Sequence, residues 1–160
     1  TFLTPFALAL GAPSTFIGLL SSMPLLMGSI FQLFVADIMK IVKTRKNIIV
    51  FTSFIEALLW IPLLLIPFLW GNNYVLLLNI VVLQGISLSI LRPFYSSLLG
   101  DVIPSHKKGK ILGTMNFITG SVGFITIIFF GFILNLFEKT NPFIGFAIIF
   151  FINCVSMIIA

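Results

Sequence analysis

The chain has 160 residues, 59% hydrophobic and only 8% charged, with a mean hydropathy of +1.23. Soluble domains hold about 45–50% apolar and about 25% charged residues, so a water-soluble globule, a disordered tail and a nucleic-acid-binding domain are excluded. One cysteine excludes an intramolecular disulfide framework.

The apolar runs are long and continuous. They predict an all-α integral membrane protein, a polytopic helical bundle, rather than a β-barrel with short alternating strands. A spanning helix takes about 20 residues, which leaves room for about five or six. Residues 1–10 are too short to span and read as the outer end of a truncated helix. Gly11-Ala12-Pro13-Ser14 has turn chemistry. Residues 15–36 form the first complete span and 37–47 a basic loop. Residues 48–70 form the second span, interrupted by Pro62 and Pro67, and 71–73 a minimal turn. Residues 74–100 form the third span, followed by a loop over 101–110. Residues 111–137 form the fourth span, 138–142 a short turn, and 143–160 the start of a fifth. Both ends lie in apolar sequence, without a signal peptide. Residues 1–160 are therefore expected to be one bundle cut from a longer protein, unstable or self-associating when isolated.

The basic residues alternate with the spans. Lys40, Lys43, Arg45 and Lys46 share one loop, and Lys107, Lys108 and Lys110 share the loop two spans later. The turn between them has none, and Lys139 is offset by Glu138. The positive-inside rule places loops 37–47 and 101–110 in the cytoplasm. Trp70 and Tyr74 flank an outer turn, where amphipathic rings favour the headgroup layer. The net charge of +5 thus follows from topology, and the expected setting is a prokaryotic inner membrane.

Within lipid a polar side chain needs a partner or a water-filled cavity. Two ionisable residues fall clearly inside spans: Glu56, about nine residues or ~13 Å in from Asn47, and Arg92, equally far from Asp101. They form a candidate buried charge pair. A proton- or substrate-linked pair, a structural pair, and an arginine snorkelling to the interface all fit.

Gly85, Ser89, Arg92 and Ser96 follow i, i+4, i+7, i+11 and share one helical face. Asn79 and Gln84 lie further out on the same span. Gly18, Ser22, Ser29 and Gln32 repeat the pattern in the first span, and Asn116, Thr119, Gly123 and Thr126 in the fourth. Small residues on one face also serve helix packing, the favoured reading for the first and fourth spans. The third span carries more and larger polar groups. Asn79, Gln84, Ser89, Arg92 and Ser96 are therefore the candidates for a substrate path.

Pro24, Pro62, Pro67 and Pro93 lie inside spans, where proline is tolerated and kinks helices. His106 sits beside two lysines in a loop. No His, Cys or carboxylate cluster suggests a metal, and no catalytic or phosphate-binding motif is present. No enzymatic activity, cofactor or metal is expected. Cys154 reads as a packing thiol.

Two segments resemble a known family. Asp37-Ile-Met-Lys-Ile-Val-Lys-Thr-Arg-Lys46 is similar to a degenerate G-x-x-x-D-R-x-G-R-[RK] loop between helices two and three of the major facilitator superfamily. Leu33 stands at the first glycine, the internal glycine is missing, and Arg45-Lys46 is displaced by inserted residues. Arg92-Pro93-Phe94-Tyr95-Ser96-Ser97-Leu98-Leu99-Gly100-Asp101-Val102-Ile103-Pro104, continuing to Lys108-Gly109-Lys110, resembles the P-x-x-x-S-L-x-x-D-x-x-P…R-G-[RK] stretch between helices four and five. The segment from Gly18 to Gln32 is similar to a common second helix.

The resemblance implies part of a six-helix half, from the end of helix one into helix six, with a C-terminal half missing. It implies that the second and fifth helices pack against that other half. The first and fourth would face the substrate path. It implies a secondary active transporter that moves a small solute by alternating access, with a coupling proton or cation as a further partner beside the bilayer. Asp37, Arg45, Lys46 and Asp101 would then serve a cytoplasmic gate, with Asp37 meeting Arg92 or a helix N-terminus of the missing half. Drug–proton antiporters of this family carry an arginine where this chain has Val81, and a Gly-Pro signature where it has Gly120-Ser121-Val122-Gly123. Their chemistry is therefore not implied. The alternatives are a membrane-embedded enzyme and a non-transporting subunit, each with its functional residues elsewhere.

Overall fold

A computed structural model describes residues 2–41, 45–71, 73–137 and 141–159. The described residues form six α-helices: α1 (Leu3–Ala9), α2 (Ser14–Ile41), α3 (Arg45–Leu65), α4 (Tyr74–Val102), α5 (Lys108–Phe137) and α6 (Pro142–Ile159). Among the described residues there is no strand. Among the described residues four stretches are long and apolar enough to cross a membrane: Ser14–Val35, Lys46–Trp70, Tyr74–Val102 and Lys108–Phe137. The protein is an all-α integral membrane bundle.

The turns are built from local chemistry. Gly11 follows α1 at φ 77°, and its N–H donates to Leu8 O at 2.9 Å while that of Ala12 donates to Ala7 O at 3.0 Å. This double bond pattern is the Schellman C-cap, whose left-handed residue is best served by glycine. The Pro13 carbonyl then accepts the N–H of Phe16 at 2.9 Å and opens α2. Asn73 caps α4 by accepting the Leu76 N–H at 3.0 Å. Asn141 Oδ1 likewise accepts the Phe143 N–H at 3.1 Å, with Pro142 at the first helical position, where its missing N–H costs nothing. Between α3 and α4, Ile66–Trp70 forms a π-turn containing Pro67. Proline lacks the N–H needed to continue the α-ladder, and Gly71 at φ 61° reverses the chain.

The helices run further than the apolar sequence suggests. The segment 37–47, read as a loop, is helical through Ile41 and again from Arg45. The chain has no glycine or proline there to stop α2, and a polar residue ends a hydrophobic run without ending a helix. At the other basic segment α4 continues to Val102, a 3₁₀ turn spans Ser105–Lys107, and α5 begins at Lys108. Pro104 enforces that break: Ile103 before it is extended, at φ −92° and ψ 120°, as steric conflict with the proline ring requires. Pro24, Pro62 and Pro93 lie inside continuous helices.

The helices stand in the order α2, α4, α3, α6, α5, each packed on the next, and α1 touches both α6 and α2. An aromatic cluster fixes α1. Phe6 meets Phe150 edge-on at 4.9 Å and Phe146 at 5.2 Å, and Trp60 reaches Phe150 at 5.6 Å. Phe16 and Tyr74 join α2 to the start of α4 at 4.9 Å. Each such pair contributes about 0.5–1.5 kcal/mol beyond area burial. The Cys154 thiol donates to the Ala57 carbonyl at 3.3 Å and ties α6 to α3. Elsewhere the surface is apolar, with Phe117 and Phe124 of α5 among the most exposed side chains.

Candidate functional site

Helices α2 and α4 approach most closely around two glycines. A Cβ added to Gly85 would lie 2.7 Å from Pro24 Cβ and 2.8 Å from Pro24 O. A Cβ on Gly28 would lie 3.1 Å from Gly85 O. Small residues let the backbones meet there, as membrane helices favour. Beside this contact the two helices frame a groove of about 410 Å³. Its apolar walls are Leu3, Pro24, Leu25, Val81 and Leu88, and its polar walls are Ser29 and Gln32 of α2 and Gln84, Ser89 and Arg92 of α4. The wall residues of α4, Val81, Gln84, Gly85, Leu88, Ser89 and Arg92, follow i, i+3, i+4, i+7, i+8 and i+11, so one face of the helix supplies them all.

The polar groups differ in what they leave available. Ser29 donates to Leu26 O at 2.8 Å and Ser89 to Ile86 O at 2.7 Å, so each hydroxyl proton is engaged by its own helix and the lone pairs stay free. Gln84 is only 6% exposed, and its Nε2 is buried without an acceptor. Such a group costs about 1–3 kcal/mol. Arg92 is exposed at the groove.

Of the five substrate-path candidates, the groove brings together Gln84, Ser89 and Arg92. Asn79 and Ser96 are not in its wall. Both are exposed, and Asn79 donates to the Val75 carbonyl of its own helix at 3.0 Å. Ser29 and Gln32 line the groove although the sequence reading assigned their stripe to packing. The i, i+3 spacing of Ser29 and Gln32, one turn beyond Gly28, was the available signal.

Glu56 is 5% exposed, on α3, with Thr52 beside it at 6%. Its Oε2 has no hydrogen-bond partner. Arg92 acts on it through space, but among the described residues no ion pair within 4.0 Å joins the two. The candidate charge pair is thus a buried acid and an exposed base that sense each other without contact. Leaving a buried carboxyl unpaired costs several kcal/mol if it is charged.

The proposed gate residues sit at the basic end. Asp37 is exposed on the last turns of α2, Lys46 on the first turn of α3 and Asp101 on the last turn of α4. Asp37 and Asp101 both have interaction partners. The side chains of Arg45 and Lys40, and Lys43 and Lys139 entirely, lie outside the described residues. Among the described residues no three His, Cys, Asp or Glu side chains gather to hold a metal.

The small-residue stripe of α5 contains one glycine, Gly123, and a Cβ added there meets nothing within 4 Å among the described residues. The same holds at Gly113 and Gly120 of that helix.

Comparison with known proteins gives one result. A family model described as Major Facilitator Superfamily matches residues 1–160. No curated protein matches the chain, and no solved structure does.

Proposed function

The chain belongs to the major facilitator superfamily, and from that premise we propose that it forms part of a secondary active transporter moving a small solute by alternating access. The family supports membrane transport. The observation that carries the finer reading is the α2–α4 groove. Three polar side chains of α4 and two of α2 converge there, in a molecule whose remaining surface is mostly apolar. An arginine near the middle of a spanning helix costs about 2.5–3.5 kcal/mol on insertion scales. A groove that collects the polar groups gives that cost a use.

In this reading Gln84, Ser89, Arg92 and Gln32 contact the solute. Glu56 behind α4 carries the coupling proton, because a buried carboxyl without a partner changes charge on binding one. Asp37, Arg45, Lys46 and Asp101 form the gate at the cytoplasmic end, where the exposed Lys107, Lys108 and Lys110 meet the headgroups. The other half of the transporter covers the open side of the groove.

The test is uptake by the full-length protein in proteoliposomes, screened across solute classes with and without an imposed proton gradient. Arg92→Gln should reduce uptake about tenfold to a hundredfold, the cost of losing a charged hydrogen bond. Glu56→Gln should leave solute exchange intact and abolish gradient-driven accumulation. Full accumulation in both variants would contradict the assignment.

A further inference from the structure

We infer that the α2–α4 groove receives a small organic acid, its carboxylate held by the Arg92 guanidinium and a second oxygen held by the Gln84 amide. The inference rests on the groove being the solute path.

Among the described residues of the groove wall, Arg92 alone is ionisable. A cation entering there meets repulsion, and a neutral solute leaves the guanidinium without a counter-charge in a mostly apolar slot. An anion satisfies it, and the planar fork of arginine matches a carboxylate with two parallel hydrogen bonds. Glu56 does not occupy that fork, since it attracts Arg92 only through space. The acid also lies outside the groove wall.

The second observation is Gln84. Its Nε2 is buried without an acceptor, and the residue lines the same groove. Ser29 and Ser89 give their hydroxyl protons to their own helix, and neither hydroxyl oxygen accepts from the Gln84 amide. A solute oxygen can accept from it. Gln84 and Arg92 are about two turns apart, roughly 12 Å along the axis. Both side chains lean toward the helix N-terminus, so a solute that touches the two must span much of that distance, less the longer reach of arginine. The site thus selects an acid with a further acceptor oxygen beyond its carboxylate.

The experiment is thermal unfolding of the purified full-length protein in detergent. The probes are sodium lactate and sodium 4-hydroxybenzoate. The controls are lactamide and 4-hydroxybenzamide, with ionic strength matched by sodium chloride. At least one acid should raise the unfolding temperature saturably, and its amide should not. Arg92→Gln should weaken that binding about tenfold to a hundredfold, and Arg92→Lys should retain part of it. Gln84→Leu should weaken acid binding several-fold without lowering the unfolding temperature of the unliganded protein, because it removes an unsatisfied buried amide. That result separates a binding role from a structural one. No response to either acid, equal responses to acid and amide, or undiminished binding in Arg92→Gln would overturn the inference. Uptake of a neutral or cationic solute that depends on the groove would also overturn it, and would leave the transporter reading standing.

Discussion

Gly85 and Gly120 look alike in the sequence, each a small residue inside an apolar helix. The structure separates them. A methyl at Gly85 collides with Pro24, while one at Gly120 meets nothing within 4 Å. Gly85→Ala should lower stability by about 1–3 kcal/mol, the usual cost of overpacking. Gly120→Ala should be neutral or slightly stabilising, because alanine is the better helix former. Thermal unfolding of the two full-length variants checks this. No single sequence could rank these glycines, since the distinction depends on which helix stands opposite. The same holds for the polar residues. Ser89 and Arg92 were legible from their spacing on one helix face, and Gln84 as a polar side chain on the same span, while Ser96 shares that spacing and lies off the groove wall. Ser29 and Gln32 were not legible, because facing the groove depends on how α2 is rotated against α4. Asn79 has the right chemistry and depth but lies off the groove and satisfies its amide on its own backbone.

The elements themselves were largely legible, and their ends less so. Turn residues with a steric mechanism marked real breaks: Gly11 and Gly71 with positive φ, and Pro104 with its extended neighbour Ile103. Charge did not. Asp37 sits on a helix that continues to Ile41, since a helix stops where its backbone cannot continue and not where its side chains become polar. The short turns depend on side-chain caps. Asn73→Ala removes the acceptor for the Leu76 N–H and should destabilise the protein by about 1 kcal/mol, with Asn73→Ser or Asn73→Asp retaining most of that. Denaturation of the three variants measures it.

At the scale of the molecule, α2 and α5 end the row of helices and leave broad faces uncovered. One of those faces holds the groove, and α5 carries the stripe of Asn116, Thr119, Gly123 and Thr126. Hydropathy separates spans from turns, yet it does not distinguish a face that meets lipid from one that meets another helix. That choice belongs to the assembled protein. The central claim is that the groove between α2 and α4 is a wet path opened in turn to each side of the membrane. The most direct measurement places single cysteines at Ser89→Cys and, as a control on an apolar surface away from the groove, Phe129→Cys in a cysteine-free full-length protein. Oriented vesicles are then treated with a membrane-impermeant thiol reagent from one side or the other. The account expects Ser89→Cys to react from both sides and Phe129→Cys from neither. A Ser89→Cys protein that reacts from one side only, or from neither, would contradict it.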